Sequence, residues 1–125
     1  MGTVYVLQED GDHHIMYNDV GGALAQHDMA VIGSLPCVAD NAIAAAAYGS
    51  FHTASGLLEI RTDELKTGED IFATPNQLVY FDQDNAQFSD TAQDGYYIVG
   101  QLKFVRGTND YITFIKFPLT ELVTT

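Results

Sequence analysis

Apolar residues in this chain fall in short runs, some continuous and some alternating with polar positions, cut by Gly, Asn, Asp and Ser turns and without a convincing amphipathic helix. The central example is Leu78-Val79-Tyr80-Phe81, an apolar and aromatic block followed by Asp82-Gln83-Asp84-Asn85 and then Phe88. Asn and Asp bond their own backbone and accept tight turns, so this stretch predicts a hairpin, with Pro75 marking a loop or sheet edge before it. Met29-Ala30-Val31-Ile32 and Leu35-Pro36-Cys37-Val38-Ala39 flank Gly33-Ser34 in the same way. Residues 57–61 place Leu58 and Ile60 on one face and Glu59 and Arg61 on the other. Residues 96–105 form the longest strand candidate, with Ile98, Gly100, Leu102 and Phe104 on one face and Tyr97, Val99, Gln101, Lys103 and Val105 on the other. Gly107-Thr108-Asn109-Asp110 then reverses the chain into residues 111–117, which should pair with that strand and end at Pro118.

At the start, residues 3–8 (Thr-Val-Tyr-Val-Leu-Gln) read as a first strand or an extended arm, and Asp10-Gly11-Asp12 is turn chemistry. Residues 13–17 could pair back onto it, and residues 18–22 break the pattern. Residues 1–20 are therefore expected to be an arm or first hairpin and residues 21–125 a single β body, with residues 23–28 a connection or one helical turn. The run Ala42-Ile43-Ala44-Ala45-Ala46-Ala47-Tyr48 is ambiguous. Alanine favours helix, but seven residues are short for one and Ser50-Phe51-His52-Thr53 resumes a β pattern. It is read as a strand whose alanines admit something packed close against them. Residues 63–68 read as a loop or brief helical turn closed by Gly68. The expected fold is all-β: one small antiparallel barrel or sandwich.

At 125 residues the chain is long enough for a core without a metal or disulfide. Its longest apolar run falls far short of the roughly 20 residues of a membrane helix, and no basic region followed by a leucine-rich block suggests a signal peptide. Seventeen acidic against five basic residues give a net charge of -12. That argues against nucleic acid as a partner, because Arg61, Lys66, Lys103, Arg106 and Lys116 are scattered where phosphate neutralisation needs them clustered. Cys37, the one cysteine, lacks basic neighbours in sequence and reads as a buried small hydrophobe.

Candidate chemistry is thin. His13-His14 near Asp10 and Asp12 could suggest a divalent metal, with His27 or His52 completing it. Adjacent strand residues point to opposite faces, however, so no metal site is expected. Residues 82–85 open like a calcium loop, but Ala86 takes a ligand position and neither the glycine nor the terminal Glu follows. Gly49-Ser50 and Ala54-Ser55-Gly56 do not form a Gly-x-Ser-x-Gly elbow. No cofactor and no enzymatic activity are expected.

Two blocks carry a family likeness. Residues 31–39, with Ile43 to Tyr48 and Gly49-Ser50-Phe51, resemble a Val-Gly-x-Leu-x-x-Val-Ala stretch preceding an alternating strand that ends in Gly-Val-Phe. Leu78-Val79-Tyr80-Phe81-Asp82 through Gly95-Tyr96-Tyr97-Ile98-Val99-Gly100 is similar to Val-Tyr-Trp-Asp, a polar turn and a Gly-x-x-x-Gly strand. Both belong to the capsid decoration (cement, or head-stabilising) proteins of tailed bacteriophages. Phe81 replaces the tryptophan and Ser50 an apolar residue. The resemblance implies a β-barrel-like domain made in the host cytoplasm and carried on the outer surface of the virion capsid. There it would bind major capsid protein subunits, commonly as a homotrimer, with no nucleic acid or membrane partner. Val4, Tyr5 and Val6 of the N-terminal segment are the candidate capsid contact, able to add a strand to a partner's sheet edge. The competing reading is a receptor- or glycan-binding module of a phage fibre, with Tyr5, Tyr17, Tyr48 and Tyr97 stacking on sugars. A third is a small hydrolase built on His13-His14.

Overall fold

The computed structural model describes residues 3–9, 13–53, 56–65 and 72–124. Ten strands run through them: β1 (Tyr5–Glu9), β2 (His13–Tyr17), β3 (Met29–Ile32), β4 (Leu35–Ala39), β5 (Tyr48–His52), β6 (Gly56–Arg61), β7 (Leu78–Asp82), β8 (Gln87–Ser89), β9 (Tyr97–Phe104) and β10 (Tyr111–Leu122). Among the described residues the only helical element is a 3-10 turn at Thr62–Glu64. The strands form a six-stranded antiparallel sheet ordered β1-β6-β10-β9-β7-β8 and a four-stranded one ordered β2-β5-β4-β3. The fold is all-β and antiparallel throughout the described strands, in keeping with the expected small barrel or sandwich.

The hairpins predicted from turn chemistry are present. Residues 82–87 connect β7 to β8 through Asp82, whose carboxylate accepts from Asn85 Nδ2 at 2.7 Å, and Ala86 takes a left-handed φ of 51°. That fixes the turn as a hairpin device. Gly33 at φ 62° reverses β3 into β4, and β9 pairs with β10.

Alternation places one face of each sheet in a shared core. Met29, Val31 and Val38 of the small sheet pack with Leu58, Ile60, Val79, Phe81, Phe88, Val99, Leu102, Ile112 and Phe114 of the large one, together with Val4 and Phe72. A second cluster of Ala30, Cys37, Ala39, Ile43 and Phe51 lies on the other face of the small sheet. It is roofed by two loop segments joined through the Leu24–Ile43 bridge.

Four local expectations change. Residues 13–17 do not pair back onto the first strand: β1 joins β6 and β2 joins β5 in the other sheet. The alanine run is a loop up to Ala47 rather than a strand, with Ala46 at φ 56° and Ile43 plugged into the second core. Its closeness to a neighbour is real, because a Cβ on Gly49 would meet Ile43 Cγ1 at 2.5 Å. Strand β10 runs through Pro118 instead of ending there. Between Lys116↔Gly100 and Glu121↔Ile98 it bulges out, so Pro118 sits where no ladder N–H is required. The regular two-face reading of residues 96–105 also fails: the register slips opposite Val79/Tyr80 and again opposite Thr113/Phe114, so Val99 and Leu102 both enter the core while Phe104 is exposed.

Candidate interaction surface

Among the described residues, strand β2 is the outermost strand of the small sheet, with β5 its one neighbour. Its register with β5 sets His13 opposite His52, Ile15 opposite Ser50 and Tyr17 opposite Tyr48, so these six side chains share one face. Across β4 the same face carries Val38, which is in the main core. The inner face of the small sheet thus starts under the large sheet and ends in solvent. Ile15 is 69% exposed, Tyr48 73% and Tyr17 43%. The two tyrosine rings meet edge to face, 5.2 Å between centroids. Neighbouring His14 points to the opposite face, as adjacent strand residues must.

Between the covered and open parts of that face lies a polar cluster. His13 Nδ1 is 2.8 Å from Asp40 Oδ2, Ser50 Oγ donates to the same oxygen at 2.6 Å, and the His13 and His52 rings are 5.0 Å apart. Partial burial would raise the Asp40 carboxyl, but the hydrogen bonds from Ser50 and His13 and the charges of His13 and His52 outweigh it and hold it below the usual range. Ser50 Oγ donates to a carboxylate rather than to an imidazole, unlike the serine of a Ser–His pair. His27 stands apart, exposed at φ 74° with its carbonyl accepting from Val4 N. Among the described residues no group of three or more His, Cys, Asp or Glu is arranged to hold a metal ion.

The candidate contact residues at the N-terminus fall on the edge of the large sheet. Val4 is fully buried, and Tyr5 and Val6 pair through their backbones with Glu59 and Leu58 of β6. Thr3 bridges Asp28, which anchors the start of β1 to the small sheet. A further apolar area lies on the large sheet, where Phe104, Tyr111 and Ile115 are exposed and Lys103 Nζ sits 5.7 Å from the Phe104 ring centroid. A cleft of about 320 Å³ separates the Gly21-Gly22 loop from the β7–β8 turn. Its Asp28 is already committed to Thr3 Oγ1 and Ala25 N.

Sequence reasoning missed Lys116. It follows Ile112 and Phe114 on the inward face of β10 and is fully buried, donating to the carbonyls of Pro36 at 2.8 Å, Thr53 at 3.0 Å and Phe117 at 3.2 Å. Burial pushes its pKa down to about 8, opposed by the nearby Cys37, and burial pushes the Cys37 thiol up to about 12. Cys37 is thus a protonated, inert core residue, with its thiol toward Ala30 O at 3.3 Å. The signal for Lys116 was its place in the Ile-x-Phe-x-Lys alternation.

Residues 8–103 match the family model described as phage cement protein, and the chain belongs to that family. It is accordingly a structural, capsid-stabilising component of the phage virion. No curated protein and no solved structure matches the chain.

Proposed function

We propose that the protein sits on the outer surface of the phage head and stabilises the shell by bridging neighbouring major capsid protein subunits, assembling there as a homotrimer. The observation that carries this reading is the exposed apolar face of Ile15, Tyr17 and Tyr48 on a protein of the cement family. Apolar area of this kind, set on an outermost strand, becomes stabilising only when a partner covers it. Cement needs no chemistry: each added interface must be broken before the shell can expand, and many symmetric copies add their contributions.

The outer edge of β1, carrying Tyr5 and Val6, is a proposed capsid contact, with buried Val4 as the anchor that holds the strand in place. Deleting residues 1–8 would also remove Val4 from the core, so the cleaner test keeps the whole chain. Purified protein is mixed with matching empty heads, sedimented, and the particles imaged. Saturable decoration at junctions between shell subunits, with an increased melting temperature of the heads, is expected. Absence of binding, or binding within single subunits without a gain in head stability, would remove the reading. An exposed Tyr17–Tyr48 pair is also what a sugar platform requires, and a glycan array positive for one ligand, with no affinity for heads, would favour the fibre-module alternative.

A further inference from the structure

The two sheets have four outer strands, and most of their edges are occupied. Along β3 the side chain of Gln83 takes the place of a neighbouring strand, its Oε1 accepting from Val31 N and its Nε2 donating to Val31 O at 3.1 Å. Strand β8 is three residues long and is bridged by Leu65. The start of β1 is tied to the small sheet through Thr3–Asp28 and Val4 N–His27 O. Strand β2 differs. It has five residues, His13, His14, Ile15 and Tyr17 are exposed, and it carries no acidic residue in a chain with seventeen. Proteins ordinarily protect an exposed edge with charge, proline or a bulge, and β2 has no lysine, arginine, carboxylate, proline or bulge.

We propose that β2 is a docking edge for an extended segment of the shell protein, which adds as a fifth strand to the small sheet and lays its side chains on Ile15, Tyr17 and Tyr48. This rests on the head-binding reading above and names the chemistry of the contact. Charge selects the occupant. Glu9, Asp10 and Asp12 precede the strand and Asp19 follows it. Two copies of β2 paired antiparallel would bring together two chains that each carry a net charge of -12. A segment with an apolar centre and Lys or Arg at both ends instead brings charge of the opposite sign to an acidic chain, with Asp19 just beyond the strand. Main-chain hydrogen bonds then hold the segment, and the Ile15–Tyr17–Tyr48 face selects its apolar side chains.

The test uses the full chain on matching empty heads, with two readouts. Hydrogen exchange of the amides of residues 13–17 should slow by about tenfold or more between free and head-bound protein, because a new strand protects the edge. In co-sedimentation, Ile15→Lys and Asp19→Lys should each weaken binding by about tenfold, while Asp110→Lys, in the exposed β9–β10 turn, should bind as wild type. All three positions are exposed, and thermal melts of the free variants check that they remain folded. Wild type that sediments with heads while residues 13–17 exchange at the free rate overturns the docking edge and leaves head binding intact. Unchanged affinity of Ile15→Lys does the same. Wild type that fails to bind heads removes both. Protection of residues 13–17 that grows with concentration in free protein would make a second copy the occupant and overturn the shell assignment.

Discussion

At the scale of single residues, Lys116 links the two sheets. Its ammonium joins a carbonyl of β4, one just beyond β5 and one of its own strand, a polar tie through otherwise apolar packing. Replacing it with Met leaves those oxygens without their donor, and we expect about 2 kcal/mol lower stability at pH 7 by urea denaturation. The pH dependence has a definite sign. A lysine whose pKa falls from 10.5 to about 8 on folding binds its proton less readily in the native state. The unfolded chain therefore holds more protons between those values, and wild-type stability should rise relative to Lys116→Met as pH climbs from about 8 to about 10.5, by up to about 3 kcal/mol. A flat difference across that window would contradict the burial argument. Two glycines are equally specific. A Cβ on Gly100 would collide with the backbone oxygen of Ile115 and meet Phe114 Cδ2 at 2.5 Å, whereas the nearest atoms to one on Gly49 all belong to the side chain of buried Ile43, Cγ1 at 2.5 Å first. Gly100→Ala should accordingly cost about 3 kcal/mol or more and Gly49→Ala, which displaces a side chain rather than backbone, about 2 kcal/mol, ranked by thermal melts.

Elements were legible in the sequence where local chemistry alone decided them. The Asp82–Asn85 and Gly33-Ser34 reversals, the Leu58/Ile60 face and the β9–β10 pairing follow from turn residues and a period of two. What stayed hidden depends on contacts distant in sequence. Ala42 to Ala47 is a loop because Ile43 is held by Leu24 from another segment, and Pro118 is tolerated because the β10 bulge reaches across to the small sheet, where Thr120 N donates to Ser34 O at 2.9 Å. The slips in β9 reset which residues face inward, which no alternation rule can anticipate. The surface on β2 was half visible: Tyr17 and Tyr48 stood out as aromatics, but their pairing and their shared face with Ile15 needed the register of β2 on β5. Gln83 illustrates the same limit. Its amide caps the β3 edge from 52 residues away, and Gln83→Ala should leave the Val31 groups to water, lower stability by about 1–2 kcal/mol and speed exchange of the Val31 amide. Unchanged exchange at Val31 would show that the edge is closed by something else.

For the molecule as a whole, the net charge of -12 sets opposite salt dependences for the two kinds of contact it can make. Contacts between copies bring acidic surfaces together, so self-association should strengthen as salt shortens the Debye length from about 30 Å at 0.01 M to about 8 Å at 0.15 M. A contact in which Asp19 and its neighbours meet basic residues of the shell is attractive at low salt and weakens as it is screened. Sedimentation of the free protein and of protein on empty heads across that range should therefore show mass rising in one case while affinity falls several-fold in the other. The apolar component at Ile15, Tyr17 and Tyr48 is insensitive to screening and should keep the heads decorated at the upper end. Head affinity that rises with salt would mean that the shell presents an acidic face to this protein, and the charge pairing assigned to the ends of β2 would then be wrong even if the apolar contact survived.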